Sequence, residues 1–119
     1  MNPPLVVKPH LRDILLLYLA VSEATVCSAL VKECEDKAQR PIYYVSKFLT
    51  KFEKNYSRLE KLAFALVLSS IKLRPYFQSH TISVVTNQPL RQFLLKPDVS
   101  RRLILWTLEL IQFDIKYQS

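Results

Sequence analysis

The sequence predicts an α/β domain on a five-stranded mixed sheet with flanking helices, and three observations carry that expectation. Apolar and β-branched runs near the start are separated by short polar stretches, as in a strand meander. Between Tyr56 and Leu73 the apolar residues switch to the spacing of one helical face. A strand-like run, two further helical stretches and a final alternation follow. The opening meander makes part of the sheet antiparallel, and the helix between the third and fourth strands supplies a crossover.

Residues 1–13, with Pro3, Pro4 and Pro9, read as an extended lead-in. Ile14 to Val21 (ILLLYLAV) reads as a strand buried on both faces. Asp13 abuts this run and it is far too short to span a bilayer, so a buried strand explains it better than a signal peptide. Ser22-Glu23-Ala24 is a turn, Thr25 to Val31 a second strand, and Lys32 to Gln39 a charged loop. Ile42 to Val45, after Pro41, has the composition of a third strand. Ser57-x-x-Glu60 has the form of a capping box opening the long helix, and Thr50-x-x-Glu53 that of a shorter turn before it. Arg74-Pro75 should end the helix, because the residue before proline is pushed out of the α region. Thr81 to Thr86 is the fourth strand, Pro89 to Leu95 a short helix, and Arg101 to Phe113 a longer one with Ser100 as N-cap. Leu103, Trp106, Thr107 and Leu110 share one face of that helix, which assigns Trp106 to the core. Phe113, Ile115 and Tyr117 alternate as a fifth strand that the sequence leaves truncated at Ser119.

Composition narrows the function. The chain has 119 residues and no glycine, where ordinary usage of about 7% would supply roughly eight. Dinucleotide-binding loops, phosphate loops and the GxSxG nucleophile elbow all need glycine and are excluded. Turns must be made by Pro, Asn, Asp and Ser. Seventeen Lys and Arg against ten Asp and Glu give a net charge of +7, which suits a polyanion partner, nucleic acid first and an anionic membrane surface second. Cys27 and Cys34 do not form a disulfide framework: on an extended segment they lie over 20 Å apart, beyond the reach of about 7 Å between Cα atoms. Free thiols place the chain in an intracellular, reducing compartment. His10 and His80 have no partner at metal-ligand spacing.

Five blocks in order, LLLYLAVSEATVCSALV, RPIYYVSKFLT, NYSRLEKLAFALVLSSIKLRPYF, ISVVTNQPLRQFL and SRRLILWTLELIQFDIKY, resemble the RNase H-like domain of the Pol polyprotein of gypsy-type LTR retrotransposons, in its plant-like version. The resemblance covers about Pro3 to Tyr117 and implies an RNase H-like fold for residues 14–119, C-terminally incomplete, with 1–13 leading in from the polymerase side. The activity it implies is hydrolysis of RNA in an RNA–DNA hybrid, with Mg²⁺ as cofactor and the polymerase portion of Pol as a partner. Hydrolysis by two Mg²⁺ ions about 4 Å apart needs clustered carboxylates. The resemblance places these on the first strand, the long helix, the end of the fourth strand and a helix near the C-terminus.

Carried over residue by residue, the first-strand position is Ala20, the helix position Glu60 and the fourth-strand position Asn87, with the last falling beyond Ser119. Ala20 has no ligand atom, and the Asn87 amide brings no negative charge. Glu60 is the one retained acid, a doubtful metal ligand that also reads as the acid of its capping box. Glu23 and Asp13 fall on the opposite strand parity from Ala20 and do not replace it. A catalytically degenerate domain that at most binds or tethers RNA–DNA hybrid or duplex is therefore expected. The alternatives are a non-enzymatic protein-interaction module and a decayed Pol fragment. Lys47, Lys51, Lys54, Arg58 and Lys61 near the long helix, and Arg91, Lys96, Arg101 and Arg102 beside the later ones, are the candidate phosphate contacts. The alternative reading is a solvated charged surface. Tyr43, Tyr44, Tyr56 and Tyr76 are stacking candidates, with a half-buried structural role as the alternative.

Overall fold

The computed structural model describes residues 13–96 and 100–119. The lead-in expected over residues 1–13 lies, apart from Asp13, outside the described residues, as does His10. The first strand, β1 (Leu15–Val21), pairs antiparallel with β2 (Thr25–Glu33), which pairs antiparallel with β3 (Gln39–Phe48). β4 (Ile82–Val85) lies parallel to β1, and β5 (Ile115–Gln118) parallel to β4, giving the order β3-β2-β1-β4-β5. All four residues of β4 have a partner in β5, from Ile82↔Ile115 to Val85↔Gln118. The expected five-stranded mixed sheet is the sheet that forms.

The β2–β3 hairpin is longer than its charged sequence suggests. Lys32, Glu33, Gln39 and Arg40 belong to the strands, so the connection shrinks to Cys34–Ala38. Asp36 Oδ1 accepts the Ala38 N–H at 3.0 Å, and Lys37 takes a positive φ of 69°. That left-handed conformation favours glycine, and this glycine-free chain adopts it with lysine. Pro41 is tolerated because β3 is an edge strand and its register shifts opposite Leu30 and Val31.

The long helix α1 (Arg58–Lys72) packs one face on β1 and β2. Leu62, Ala63, Leu66 and Val67 meet Leu15, Leu17, Leu30, Ile82 and Val84 in the main core. Its small residues allow close approach, and the buried Ser69 hydroxyl lies 2.6 Å from that of Ser28 on β2. Helix α1 ends at Lys72 beside Leu73, where Arg74-Pro75 is expected to end it. A second helix, α2 (Arg74–Ser79), starts at once, with Pro75 in its first turn. Proline is tolerated there because a first-turn N–H has no intrahelical partner to lose. Phe77 of α2 is 1% exposed in the core and meets Phe113 edge-on at 5.5 Å.

The helix α3 (Leu90–Leu94) and α4 (Arg101–Leu110) both contact α1. Ser100 caps α4 by accepting the Leu103 N–H at 3.3 Å. Among the described residues no helix is long and apolar enough to cross a membrane.

Two burial expectations change. β1 is buried over Leu15–Leu17 but opens toward its C-terminal end, where Ala20 is exposed and Val21 half-buried. Tyr43 and Tyr44 stand exposed on edge strand β3, whereas Tyr56 and Tyr76 are half-buried.

Candidate functional site

The candidate site is the first turn of α1, where Glu60 is held. Ser57 is extended at the N-cap, and its hydroxyl accepts the Glu60 N–H at 3.1 Å. Glu60 Oε1 returns the bond by accepting the Ser57 N–H at 3.0 Å. This is the capping box that the sequence spells. Glu60 Oε2 accepts from the Arg102 guanidinium, which reaches over from the first turn of α4. Burial alone would raise the Glu60 pKa, but the Ser57 N–H and the Arg102 cation outweigh it and hold the carboxyl below its ordinary value.

An aromatic cluster seats the arginine. Its guanidinium carbon lies 4.3 Å from the Tyr56 ring centroid and 5.5 Å from that of Trp106. Phe64 stacks on Trp106 at 5.6 Å, and Tyr56 meets Phe52, Phe64 and Trp106 edge-on. Trp106 is thus half-buried against the core and serves as a wall for Arg102.

The three positions expected from the resemblance, Ala20, Glu60 and Asn87, have different surroundings. Leu19 and Val21 pack toward α1, so Ala20 between them faces the other side of the sheet. There it lines an apolar depression of about 380 Å³ with Tyr18, Cys27, Ala29, Tyr44 and Ser46. Asn87 lines a separate depression of about 370 Å³ with Gln88, Arg91, Tyr117 and Gln118. Among the described residues no three His, Cys, Asp or Glu side chains converge as a metal site would require. The donor set therefore does not fit the Mg²⁺ that the family resemblance implies: one carboxylate is present, one of its oxygens caps a helix and the other meets a guanidinium.

The expected phosphate contacts divide by placement. Lys51, Lys54 and Arg58 are exposed around the start of α1, as are Arg91 and Lys96 by α3 and Arg101 on α4. Lys61 is only 8% exposed, and its ammonium donates to the carbonyls of Ser22 at 3.1 Å and Glu23 at 3.2 Å. It ties α1 to the β1–β2 turn instead of facing solvent. Lys47 donates to Glu53 at 2.9 Å and lies 5.7 Å from the Phe64 ring centroid. Glu53 is held in turn by reciprocal bonds with Thr50, which open a 3-10 turn at Glu53–Asn55. Arg102 is committed to Glu60. Lys61 is therefore an internal fastening, whereas Lys47 and Arg102 are ion-paired and about a third exposed.

Sequence reasoning missed the Glu60–Arg102 pair. One signal was available: α4 opens with two arginines and has no acid in its first turn. Cations are unfavourable at the positive end of a helix, which an acid from elsewhere in the chain offsets at Arg102.

Comparisons with known proteins agree with this architecture. The family model described as the RNase H-like domain found in reverse transcriptase matches residues 11–113. The Retrovirus-related Pol polyprotein from transposon opus of Drosophila melanogaster is 32% identical over 88 residues, which is 72% of this chain and 9% of that protein. This chain thus spans about a tenth of that relative. Among solved structures, a foamy viral protease-reverse transcriptase in complex with double-stranded DNA superposes with a TM-score of 0.75 at 18% identity, over 95% of this chain and 20% of its own. A foamy viral protease-reverse transcriptase in complex with RNA/DNA hybrid gives 0.71 at 23%, over 90% and 15%. These two likenesses concern the fold. With the family model spanning nearly the whole sheet and its helices, the chain belongs to the RNase H-like domains of reverse transcriptases.

Proposed function

We propose that this chain is a non-hydrolytic RNase H-like domain of a gypsy-type retrotransposon Pol polyprotein, acting beside the polymerase portion to hold RNA–DNA hybrid or duplex. One observation carries the proposal: the Glu60 carboxylate, the retained acid among the family positions, is committed on both oxygens, to Ser57 and to Arg102. Ala20 and Asn87 bring no negative charge to the other two positions. The exposed Lys51, Lys54, Arg58, Arg91 and Arg101 supply sequence-independent phosphate contacts. The neighbours solved with double-stranded DNA and with RNA/DNA hybrid support that choice of ligand.

The test is a labelled hybrid incubated with the purified chain in Mg²⁺ or Mn²⁺. Binding that weakens with salt and no cleavage above background are expected. Cleavage abolished by Glu60→Gln overturns the proposal.

A second reading, a protein-interaction module, has its own observation. Ile104, Leu105 and Leu108 of α4 and Ile111 at its C-cap form an apolar surface that is between 47% and 75% exposed. Salt-insensitive or absent hybrid binding would favour it.

A further inference from the structure

Between the end of β3 and the start of α1, two large rings stand in water. Phe48 is 82% exposed at the last position of the edge strand, and Phe52, four residues on, is 69% exposed. Isolated exposed apolar residues are ordinary, but these two flank Lys51 in a segment with an unusual charge distribution. Both acids of residues 48–60 are engaged within the fold. Glu53 accepts from Lys47 and from the Thr50 N–H, each at 2.9 Å, and Glu60 accepts from Ser57 and Arg102. Lys51, Lys54 and Arg58 stay exposed, so the charge this segment offers to solvent is positive. Phe52 is also held in place. It leads into the 3-10 turn, which Thr50 and Glu53 fasten by reciprocal bonds, and its ring meets Tyr56 edge-on at 6.1 Å.

We infer that Phe48 and Phe52 are stacking faces for unpaired nucleotide bases, with Lys51, Lys54 and Arg58 holding the phosphates of the same strand. The inference rests on the proposed nucleic-acid role and specifies the form taken here, a single strand. Phenylalanine has no hydrogen-bonding group with which to read a base edge. Its ring can only meet the face of a base, and paired bases hide their faces in the stack. Rings interleaved with cations suit a strand of any sequence, because every base has a π face and every nucleotide a phosphate. An anionic membrane would also match the charge. An interfacial anchor, however, lays the apolar face of a helix into the lipid, whereas these rings stand on a strand end and a tight turn among the exposed Thr50, Asn55 and Ser57.

The test compares binding of a labelled oligodeoxythymidylate and of a blunt RNA–DNA hybrid of the same length to the whole chain. Phe52→Leu keeps an apolar side chain but removes the π face. It should weaken oligodeoxythymidylate binding by about 5- to 150-fold, while hybrid affinity and Tm stay unchanged. Phe52→Trp should bind the oligonucleotide at least as tightly as the parent. Phe48→Leu should act in the same direction as Phe52→Leu, and it decides the matter if the Phe52 variants unfold. Oligonucleotide affinity unaltered in both leucine variants would overturn the inference, as would equal losses for oligonucleotide and hybrid. Binding to phosphatidylserine vesicles that survives Phe52→Leu, with no binding of the oligonucleotide, would assign the surface to a membrane and overturn it too. Failure here is distinct from failure of the proposed function. Hybrid held uncleaved, with oligonucleotide binding indifferent to both rings, sinks only this inference. Hybrid cleavage that Glu60→Gln abolishes, with the leucine variants still losing oligonucleotide affinity, sinks only the other.

Discussion

Ser57 and Glu60 satisfy each other's backbone N–H at the start of α1, so each holds a donor that the helix would otherwise leave unpaired. Ser57→Ala should cost about 1 kcal/mol, read as a lower urea midpoint with an unchanged slope. Protonation acts on the same turn. Glu53 and Glu60 both have pKa values held below the ordinary 4.5, against the opposing effect of burial, by bonds to Thr50 with Lys47 and to Ser57 with Arg102. The unfolded chain therefore binds protons more readily than the folded one. The stability these acids contribute is full above pH 4.5 and is lost as pH falls through their lower folded values. Urea midpoints should drop between neutral pH and about pH 3, and Glu60→Gln should flatten part of that drop. The capping box was legible in the sequence because its partners lie three residues apart. Arg102 was not, because its acid lies 42 residues away. Lys61 was misjudged for the same reason: its acceptors are backbone carbonyls 38 and 39 residues upstream, which no side-chain pattern announces.

Elements followed the sequence wherever period and punctuation agreed. The three opening strands, α1, and the Ser100 start of α4 lie where the apolar spacing places them. Arg74-Pro75 ends α1 as expected. The differences have physical causes. Proline in a first turn costs no intrahelical bond, so an unanticipated α2 starts there and carries Phe77 into the core. Phe77→Ala should cost about 3–5 kcal/mol by denaturant unfolding, a loss that a solvent-exposed connector at this place would not show. The β2–β3 connection looked like a long charged loop because strand ends on a hairpin carry solvated residues, and pairing extends to Glu33↔Gln39. The φ of 69° at Lys37 marks strain in that turn. Lys37→Gly should raise stability by about 1 kcal/mol, seen as a higher Tm; a fall would mean that the lysine side chain contributes more than its backbone costs.

At the scale of the molecule, the sheet order β3-β2-β1-β4-β5 places the helices so that α1 meets β1, β2, α3 and α4. The exposed cations Lys51, Lys54 and Arg58 surround the start of α1, while Lys61 is buried and Lys47 and Arg102 are paired with acids. A net charge of +7 thus overstates the free basic surface. Replacing Lys51, Lys54 and Arg58 by alanine should make the slope of log affinity against log salt for hybrid shallower by about three, measured by titration at several salt concentrations. Under the proposed function, the RNase H-like fold is kept here without hydrolysis. The most direct test of this reading is cleavage of an RNA–DNA hybrid by the purified chain in Mg²⁺ or Mn²⁺, beside its Glu60→Gln variant. The expected result is bound, intact hybrid and no difference between the two proteins. Turnover by the parent chain that vanishes in the variant would contradict it.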